Sequence, residues 1–318
     1  MKSNEEPDMP VTGIMRVGEV AIRVFDLEES RQHYDKRMGL IETHQGDDDK
    51  VYYKCPDEHD LYSLVLRKAD QPGIDYVAFK TARDSDLDDF AERLRAFDIE
   101  VEHVPANTYP ASGRRIKFNL PSGHEIHVYA EKEQNGNGMP LRNPGTIPDE
   151  GYIRGFRTVR LDHCLLGGTD IDANAKIMME VFGFTMSEKL VAHENEMSLA
   201  LFLTTSNKPH DIAFVLQPEG NKFHHVSFLL DSVNDLYHAA DLIGKYNIAV
   251  DVAPNRHGVT RGATIYFFDP SGNRNEVFTG GYVHYPDTPT LVWDTTELGK
   301  ATFSQDNTVR PSFLEVLT

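Results

Sequence analysis

The sequence of 318 residues contains only two cysteines, Cys55 and Cys164, and no CxxC pair. A disulfide framework and a zinc site built from thiolates are therefore improbable, and the low count is typical of proteins from a reducing compartment. We expect both cysteines to be reduced and buried as small apolar side chains.

Long apolar runs and blocks of lysine or arginine are also absent. No run approaches the roughly 20 apolar residues of a membrane span, and the acidic start of the chain lacks the apolar core of a signal peptide. The formal net charge of −18 would repel phosphate backbones and anionic lipids. These features argue against nucleic acid and membrane partners and predict a cytoplasmic protein.

Residues 265–278 predict a β-hairpin. Its turn contains Pro270, which presets φ, and Gly272, which tolerates positive φ, and aromatic or β-branched residues flank it. Alternation along the return strand places Glu276 on the same face as Phe278, among apolar neighbours. Because a buried carboxylate without a partner is costly, Glu276 requires a cation.

An internal repeat predicts the architecture. Residues 116–129 align without a gap on residues 265–278 at a shift of 149 positions, and a shift of 144 aligns the starts of the two halves. In each half, the pattern of one strand, one amphipathic helix and three further strands occurs twice in succession. The chain is therefore predicted to have an α+β fold of four βαβββ modules.

Three side chains on three predicted strands of the second half form a candidate metal site: His163, His225 and Glu276. Two histidines and one carboxylate are the facial set that holds non-haem Fe(II) and leaves coordination positions open, and Mn(II) accepts the same set. With neutral imidazoles the set offsets one of the two metal charges, which leaves a positive site for an anionic chelating ligand.

The repeat aligns this set with Glu19, Tyr76 and His127 of the first half, so the equivalent site there is predicted to be a scaffold without metal. Strand parity points His224 to the face opposite His225, in a supporting or structural role. A lone histidine on a strand is more often a core or surface residue than a ligand, and we predict a solvated surface position for His33, His44, His59, His103, His124, His193, His238 and His284.

A stretch rich in Gly, Pro, Asn and Glu separates the halves and is typical of a linker. The C-terminal residues have too little periodicity for a domain of their own. The predicted boundaries are a polar disordered tail (1–12), an N-terminal two-module domain without metal (13–135), a linker (136–152), a C-terminal two-module domain with the metal site (153–280) and a C-terminal segment that covers the site (281–318).

Five stretches together resemble the type I extradiol ring-cleavage dioxygenases, and most closely the catechol 2,3-dioxygenases: 160–163, 209–214, 224–228, 256–262 and 265–278. The resemblance extends from about Val17 to Thr318. It implies the vicinal-oxygen-chelate fold, with the four modules forming two barrel-like domains and active Fe(II) in the second. It also implies extradiol (meta) ring cleavage of catechol or alkylcatechols with O2 to 2-hydroxymuconic semialdehyde-type products, in aromatic degradation, by a homotetramer.

The same resemblance carries metal ligation onto the three residues named above and assigns the remaining chemistry to a second group. In that group His210, His257 and Tyr266 are catalytic, His257 and Tyr266 also contact the substrate, and Leu165, Val215 and Phe313 complete the substrate wall. Glu19 stands where the family usually has a histidine in the inactive first site.

The resemblance also bears on the substrate. Relatives that cleave homoprotocatechuate use an arginine five residues before the proton-relay histidine and an asparagine two residues after the first metal histidine; this chain has Val252 and Leu165 there. An uncharged catechol is therefore predicted. Arg256 and Arg261 flank the relay histidine and keep a carboxylated catechol open as an alternative.

Two further functions share the fold. One is a metal-dependent isomerase or lyase of the glyoxalase kind, because a fold does not fix function. The other is a metal-free protein that sequesters a ligand, which would leave the complete set of two histidines and a carboxylate unexplained. Metal content distinguishes the last of these from the enzymes.

Overall fold

The computed structural model describes residues 13–45 and 49–318. The predicted tail, residues 1–12, lies outside them. Within these ranges, no helix is both long and apolar enough to cross a membrane.

The strands are β1 (Ile14–Val24), β2 (Ile41–Gln45), β3 (Lys50–Lys54), β4 (Leu64–Lys68), β5 (Gly73–Thr81), β6 (Glu102–Val104), β7 (Arg115–Asn119), β8 (Glu125–Tyr129), β9 (Arg160–Gly168), β10 (Thr185–Val191), β11 (Ser198–Thr204), β12 (Ile212–Leu216), β13 (Lys222–Leu229), β14 (Val250–Arg256), β15 (Gly262–Phe268), β16 (Arg274–Gly280) and β17 (Leu291–Asp294).

In the described part of the chain, six α-helices connect or follow these strands. They are α1 (Leu27–Arg31), α2 (Asp86–Arg95), α3 (Ile171–Phe182), α4 (Val233–Lys245), α5 (Leu298–Thr302) and α6 (Pro311–Glu315), with a π-helical turn at Gln32–Arg37 and 3-10 turns at Glu150–Ile153 and Thr295–Glu297. Ser232 caps the start of α4 by accepting the backbone N–H of Asp235.

The strands form two large sheets with the same internal order. The N-terminal half has the order β2-β3-β4-β1-β5-β8-β7-β6, and the C-terminal half has β14-β15-β16-β13-β9-β12-β11-β10-β17. In each half two modules join through an antiparallel pair of their first strands, β1 with β5 and β9 with β13. The predicted four βαβββ modules are therefore confirmed, with β17 as an added edge strand.

The apolar faces of the helices pack into one core that both halves share. Leu87, Phe90 and Leu94 of α2, whose spacing is that of one helix face, are all buried in it. Phe182 at the end of α3 stacks on Phe118 of the N-terminal half with ring centroids 5.4 Å apart. Burial of these side chains removes apolar surface from water and fixes one half against the other.

The turn between β15 and β16 docks into the N-terminal half. Gly272 takes φ +90°, as the predicted turn requires. Tyr34 donates from its hydroxyl to Asp269 Oδ2 at 2.9 Å, and His33 Nε2 lies 2.9 Å from Asn275 Oδ1. These bonds hold the hairpin that carries Glu276.

Three of the eight histidines predicted to be solvated are buried, so the prediction was wrong for them. His33 bonds Asn275 across the two halves, His124 lies between Ser122 Oγ (2.7 Å) and the Lys222 carbonyl (2.9 Å), and His284 lies 3.3 Å from Thr185 Oγ1. His44, His59, His103 and His193 are exposed, and His238 is half-buried. Both cysteines are buried and free, as expected.

The C-terminal segment runs back across the second sheet. Strand β17 pairs in parallel with β10 at the sheet edge. The final residue, Thr318, exchanges two backbone hydrogen bonds with Phe223, at 2.8 and 3.1 Å. The segment is thereby fixed at both ends, and α5 and α6 lie between these anchors.

Candidate active site

The three predicted metal ligands meet in the C-terminal half. His163 lies on β9, His225 on β13 and Glu276 on β16, which are neighbours in the sheet. One ligand atom from each lies within 4.8 Å of the others, and all three residues are buried. The order of strands, rather than proximity in sequence, brings them together.

Asp162 orients the His163 ring through one nitrogen and leaves the other nitrogen available to a metal. Its Nδ1 lies 2.9 Å from Asp162 Oδ2, and its Nε2 lies 2.9 Å from Glu276 Oε2. Burial favours the protonated form of Asp162, but Lys208, His163 and Arg160 together outweigh burial and hold the pKa of that carboxyl well below its usual range. An ionised Asp162 accepts a hydrogen bond from the Nδ1–H group of His163 and orients the ring, which leaves the Nε2 lone pair for a metal.

A β-bulge changes the position predicted for His224. The register between β13 and β9 shifts between Phe223 and His225, so His224 and His225 both line the same cavity, contrary to strand parity. His224 Nε2 lies 2.8 Å from the Phe313 carbonyl, to which it can only donate, and its Nδ1 then accepts from His225 Nδ1 at 2.7 Å.

This chain of hydrogen bonds leaves His225 Nε2 as a lone pair. That atom is buried and has no hydrogen-bond partner among the described residues. Burial also lowers the pKa of His225 well below its ordinary value, which keeps the imidazole neutral. A buried acceptor without a partner is costly, and a metal ion would satisfy it.

Glu276 faces imidazoles and one hydroxyl. Its carboxylate accepts from Thr264 Oγ1 and lies 2.9 Å from His163 Nε2, 3.4 Å from His225 Nε2 and 3.7 Å from His257 Nε2. Burial raises the pKa of Glu276, but the imidazoles of His163, His257 and His225 that face the carboxylate together outweigh burial and hold this pKa well below its ordinary value. Two imidazole nitrogens and one carboxylate oxygen are donors that fit a divalent first-row metal.

A cavity of about 110 Å³ opens from these ligands. All three residues predicted for the substrate wall, Leu165, Val215 and Phe313, line it. Further apolar lining comes from Leu190, Ala200, Phe202, Pro209, Val259, Phe278, Leu298, Ala301 and Leu314, and the described lining includes no lysine or arginine. The cavity therefore suits a small uncharged aromatic molecule.

His210, His257 and Tyr266 also line this cavity. The His210 ring centroid lies 4.0 Å from that of His163. His257 Nδ1 donates to the Thr302 carbonyl at 2.5 Å, so its Nε2 accepts from the Tyr266 hydroxyl at 2.9 Å. Burial lowers the pKa of His210 and raises that of Tyr266, so both side chains are neutral.

Comparison with known proteins decides the family. Residues 74–133 match the catechol 2,3-dioxygenase-like N-terminal domain, and residues 160–277 match the glyoxalase/bleomycin resistance protein/dioxygenase superfamily. The chain is 43% identical to a metapyrocatechase of Pseudomonas sp. (strain CF600) over 96% of its own length and 99% of that protein. It belongs to the extradiol ring-cleavage dioxygenases.

Two more extradiol dioxygenases show how far the similarity extends. The crystal structure of the 2,3-dioxygenase LapB from Pseudomonas sp. KL28 matches with a TM-score of 0.88 at 42% identity, over 90% of this chain and 99% of that one. A manganese-dependent 2,3-dihydroxybiphenyl 1,2-dioxygenase of Geobacillus genomosp. 3 is 29% identical over 90% of this chain and 91% of that protein.

Sequence reasoning missed several residues that position the site of this dioxygenase. Asp162, which orients His163, directly precedes it in the chain, and this adjacency was the available signal. Thr264, which donates to Glu276, aligns with Arg115 at the 149-position shift, and that difference in side chain could have drawn attention to it.

Proposed function

We propose that this chain cleaves the ring of an uncharged catechol beside its two hydroxyls, with O2, at a divalent metal held by His163, His225 and Glu276. The observation that carries the proposal is the buried His225 Nε2, which has no hydrogen-bond partner among the described residues and lies within 4.8 Å of the other two ligand atoms. The 43% identical metapyrocatechase supports the reaction. The reaction serves aromatic degradation.

The metal proposed is Fe(II), on the resemblance to type I enzymes. The ligand set accepts Mn(II) as well, and the 29% identical relative is named as manganese-dependent. When bound, such a metal lowers the pKa of a coordinated catechol hydroxyl and permits electron transfer between the ring and O2. Two neutral imidazoles and one carboxylate leave one net positive charge, which a catecholate monoanion would neutralise.

The side chains beside the ligands suit proton transfer. Tyr266 donates to His257 Nε2, and the Thr302 carbonyl fixes the Nδ1 proton of His257. His257 Nε2 can therefore take a proton from a substrate hydroxyl, while the Tyr266 hydroxyl turns to donate to the substrate oxygen. His210, kept neutral by burial, can donate an N–H to oxygen that gains negative charge.

The apolar wall excludes water and disfavours a charged ring substituent. Arg256 donates to the Arg261 carbonyl at 2.8 Å, and the Arg261 guanidinium lies over the Tyr282 ring. Neither arginine is part of the cavity lining. A substrate carboxylate would therefore lack the partner that burial of an anion requires.

Metal content and turnover test the proposal together. Protein purified without oxygen should contain about one iron per chain, and it should convert catechol with uptake of O2. Glu276→Gln and His225→Ala should lose the metal, because each removes a ligand. His257→Asn should keep the metal and lose turnover. Iron retained in both ligand variants would mean that the ligands are wrong, and absence of metal and of activity after Fe(II) addition would refute the reaction.

Substrate choice tests the apolar wall. For 4-methylcatechol, kcat/KM should exceed that for 3,4-dihydroxyphenylacetate by at least ~100-fold, as the loss of about 3 kcal/mol from an unpaired anion would give. The two molecules differ by the carboxylate alone. Comparable values would mean that Arg256 or Arg261 enters the cavity, and the substrate would then be a carboxylated catechol.

A homotetramer and a cytoplasmic location stay predictions from the sequence. Light scattering of the fully active enzyme tests the first: a stable monomer would contradict it. Fractionation of cells that express the protein tests the second.

A further inference from the structure

Glu188 on β10 is a buried carboxylate outside the metal site. Its side chain joins two segments that are distant in sequence. Oε1 accepts the backbone N–H of Thr260 at 2.7 Å, and Oε2 accepts the indole N–H of Trp293 at 2.9 Å. The residue is 1% exposed and does not line the cavity.

The first of these segments is the loop between β14 and β15, which begins at His257. Thr260 and Arg261 in this loop take φ of +56° and +60°, in the left-handed region that residues other than glycine seldom adopt. Such a conformation persists only where the surroundings hold it. Glu188 supplies one such contact, because the N–H that it accepts belongs to the strained Thr260.

The second segment is the C-terminal one, and it holds the same loop from the other side. Gly258 and Val259 donate their backbone N–H groups to the Ala301 carbonyl at 3.0 and 2.9 Å, and Thr302 accepts from His257. Residues 301 and 302 belong to α5, which follows β17 after one 3-10 turn. Trp293 on β17 packs against the apolar cluster that contains Val259 and Ala301. Glu188 therefore closes a ring of contacts around the loop.

We propose that Glu188 is a positioning residue, which holds the His257 loop against the C-terminal segment so that His257 Nε2 stays at 2.9 Å from the Tyr266 hydroxyl. It acts through the loop and touches no substrate. The proposal rests on the proposed function in one respect, that His257 moves a proton in ring cleavage.

Glu188→Gln tests it, because an amide offers one acceptor where the carboxylate offers two. Its NH2 group must then face the N–H of either Thr260 or Trp293. We expect kcat for catechol to fall about 10- to 100-fold, as misplacement of a catalytic group by about 1 Å gives. KM should stay within about threefold and metal content should be unchanged. Glu180→Gln on the exposed face of α3 removes the same charge and should match the wild type.

Trp293→Phe provides a rescue that a merely structural role would not show. It removes one of the two competing donors, so the amide oxygen of the introduced glutamine can accept from Thr260 while its NH2 group faces the phenyl ring. The double variant should therefore recover kcat to within about threefold of Trp293→Phe alone. Loss of kcat in Glu188→Gln without this recovery would overturn the proposal, as would wild-type kcat in Glu188→Gln.

Two readouts do not depend on turnover. Trp293 is the only tryptophan of the chain, so the emission spectrum of Glu188→Gln reports the lost indole contact directly. Amide hydrogen exchange should rise in residues 257–262 and 298–303 and stay unchanged in α4. Unchanged exchange in Glu188→Gln would overturn the proposal for Glu188. If instead the wild type proved inactive on catechol, that result would refute only the proposed function, and the exchange experiment would still test the role of Glu188. If Glu188→Gln fails to fold, amide exchange in Trp293→Phe tests the proposal instead. It should rise in residues 257–262 and 298–303, and unchanged exchange there would overturn the proposal.

Discussion

The two halves of the molecule each bury a carboxylate in the equivalent site, Glu19 at the position of His163 and Glu276 at the position of His127, and balance its charge in opposite ways. In the N-terminal half Glu19 accepts from Lys132 Nζ at 2.6 Å, from Arg115 at 3.3 Å and from the Tyr76 hydroxyl. In the C-terminal half, every ion-pair partner of Glu276 among the described residues is an imidazole. One half contains its own cations, and the other half requires one from outside.

The repeat shows which substitutions make this difference. At the shift of 149 positions, Arg115 corresponds to Thr264 and Lys132 to Gly281. Thr264 touches Glu276 and Gly281 lines the cavity, so small side chains stand where the other half has long cations. The comparison teaches that small side chains at these two positions, as much as the histidines, suit the C-terminal site to a metal ion.

The largest effect should come from returning a cation to the C-terminal half. Thr264→Lys places an ammonium beside Glu276, where it would compete with the metal for the carboxylate. We expect metal content and turnover of catechol to fall to background, as measured by metal analysis and O2 uptake. Thr264→Met has a side chain of similar length without the charge and is the control. Equal metal loss in both variants would attribute the effect to crowding and break the comparison.

A smaller effect should follow from removing the cation of the N-terminal half. Lys132→Met leaves Glu19 buried with only the more distant Arg115 as a cation, and should lower the free energy of unfolding by about 3 kcal/mol. Urea denaturation of metal-free protein measures it. Adding Glu19→Gln to this variant should restore none of the loss, because it leaves the buried Arg115 guanidinium without its carboxylate partner. A Lys132→Met protein as stable as the wild type would show that the pair is not needed.

The smallest effect concerns pH. Burial opposes ionisation of Glu19, but Lys132 and Arg115 outweigh it and lower the pKa of Glu19 from 4.5 to about 2. Because the folded-state pKa lies below the unfolded one, the contribution is complete above pH 4.5 and is lost as the pH falls toward 2. It is on the order of 3 kcal/mol over that whole window, so only part of it is lost by pH 3.

The difference between two proteins measures this contribution. Between pH 5 and pH 3, metal-free wild type should lose more stability in urea than the Glu19→Gln/Lys132→Met variant, which has no carboxylate at this position. Parallel loss in both would mean that Glu19 titrates normally. Metal-free protein is required, since release of metal in acid would otherwise contribute.

Much of the fold and of the site could be predicted because the repeat has no gap in its hairpins. The alignment of residues 116–129 on residues 265–278 predicted the order of elements along each half, and the structure makes the strands of His163, His225 and Glu276 neighbours in the sheet. A single strand pattern would not have identified them. The comparison between the halves assigned each of these residues to a defined strand of a module, which the pattern around a single histidine cannot do.

Other features depend on contacts that no local pattern contains. His33 stands among polar residues and looks solvated, yet it bonds Asn275, 242 positions away. Glu188 and Thr260 are 72 positions apart. The bulge at His224 shifts the register between β13 and β9, so it depends on strand pairing rather than on the alternation of side chains.

The shared core, with the hairpin turn docked into the N-terminal half, has a thermodynamic consequence. Because the apolar cluster is continuous between the halves and Tyr34 and His33 bond the hairpin of Glu276, neither half can unfold without exposing part of the other. A ligand that binds only the native chain raises the stability of the whole cooperative unit, by about 2.7 kcal/mol at 100 times its dissociation constant. The N-terminal half, whose buried carboxylate pairs with Lys132, would then melt at a temperature raised by a metal bound in the other half.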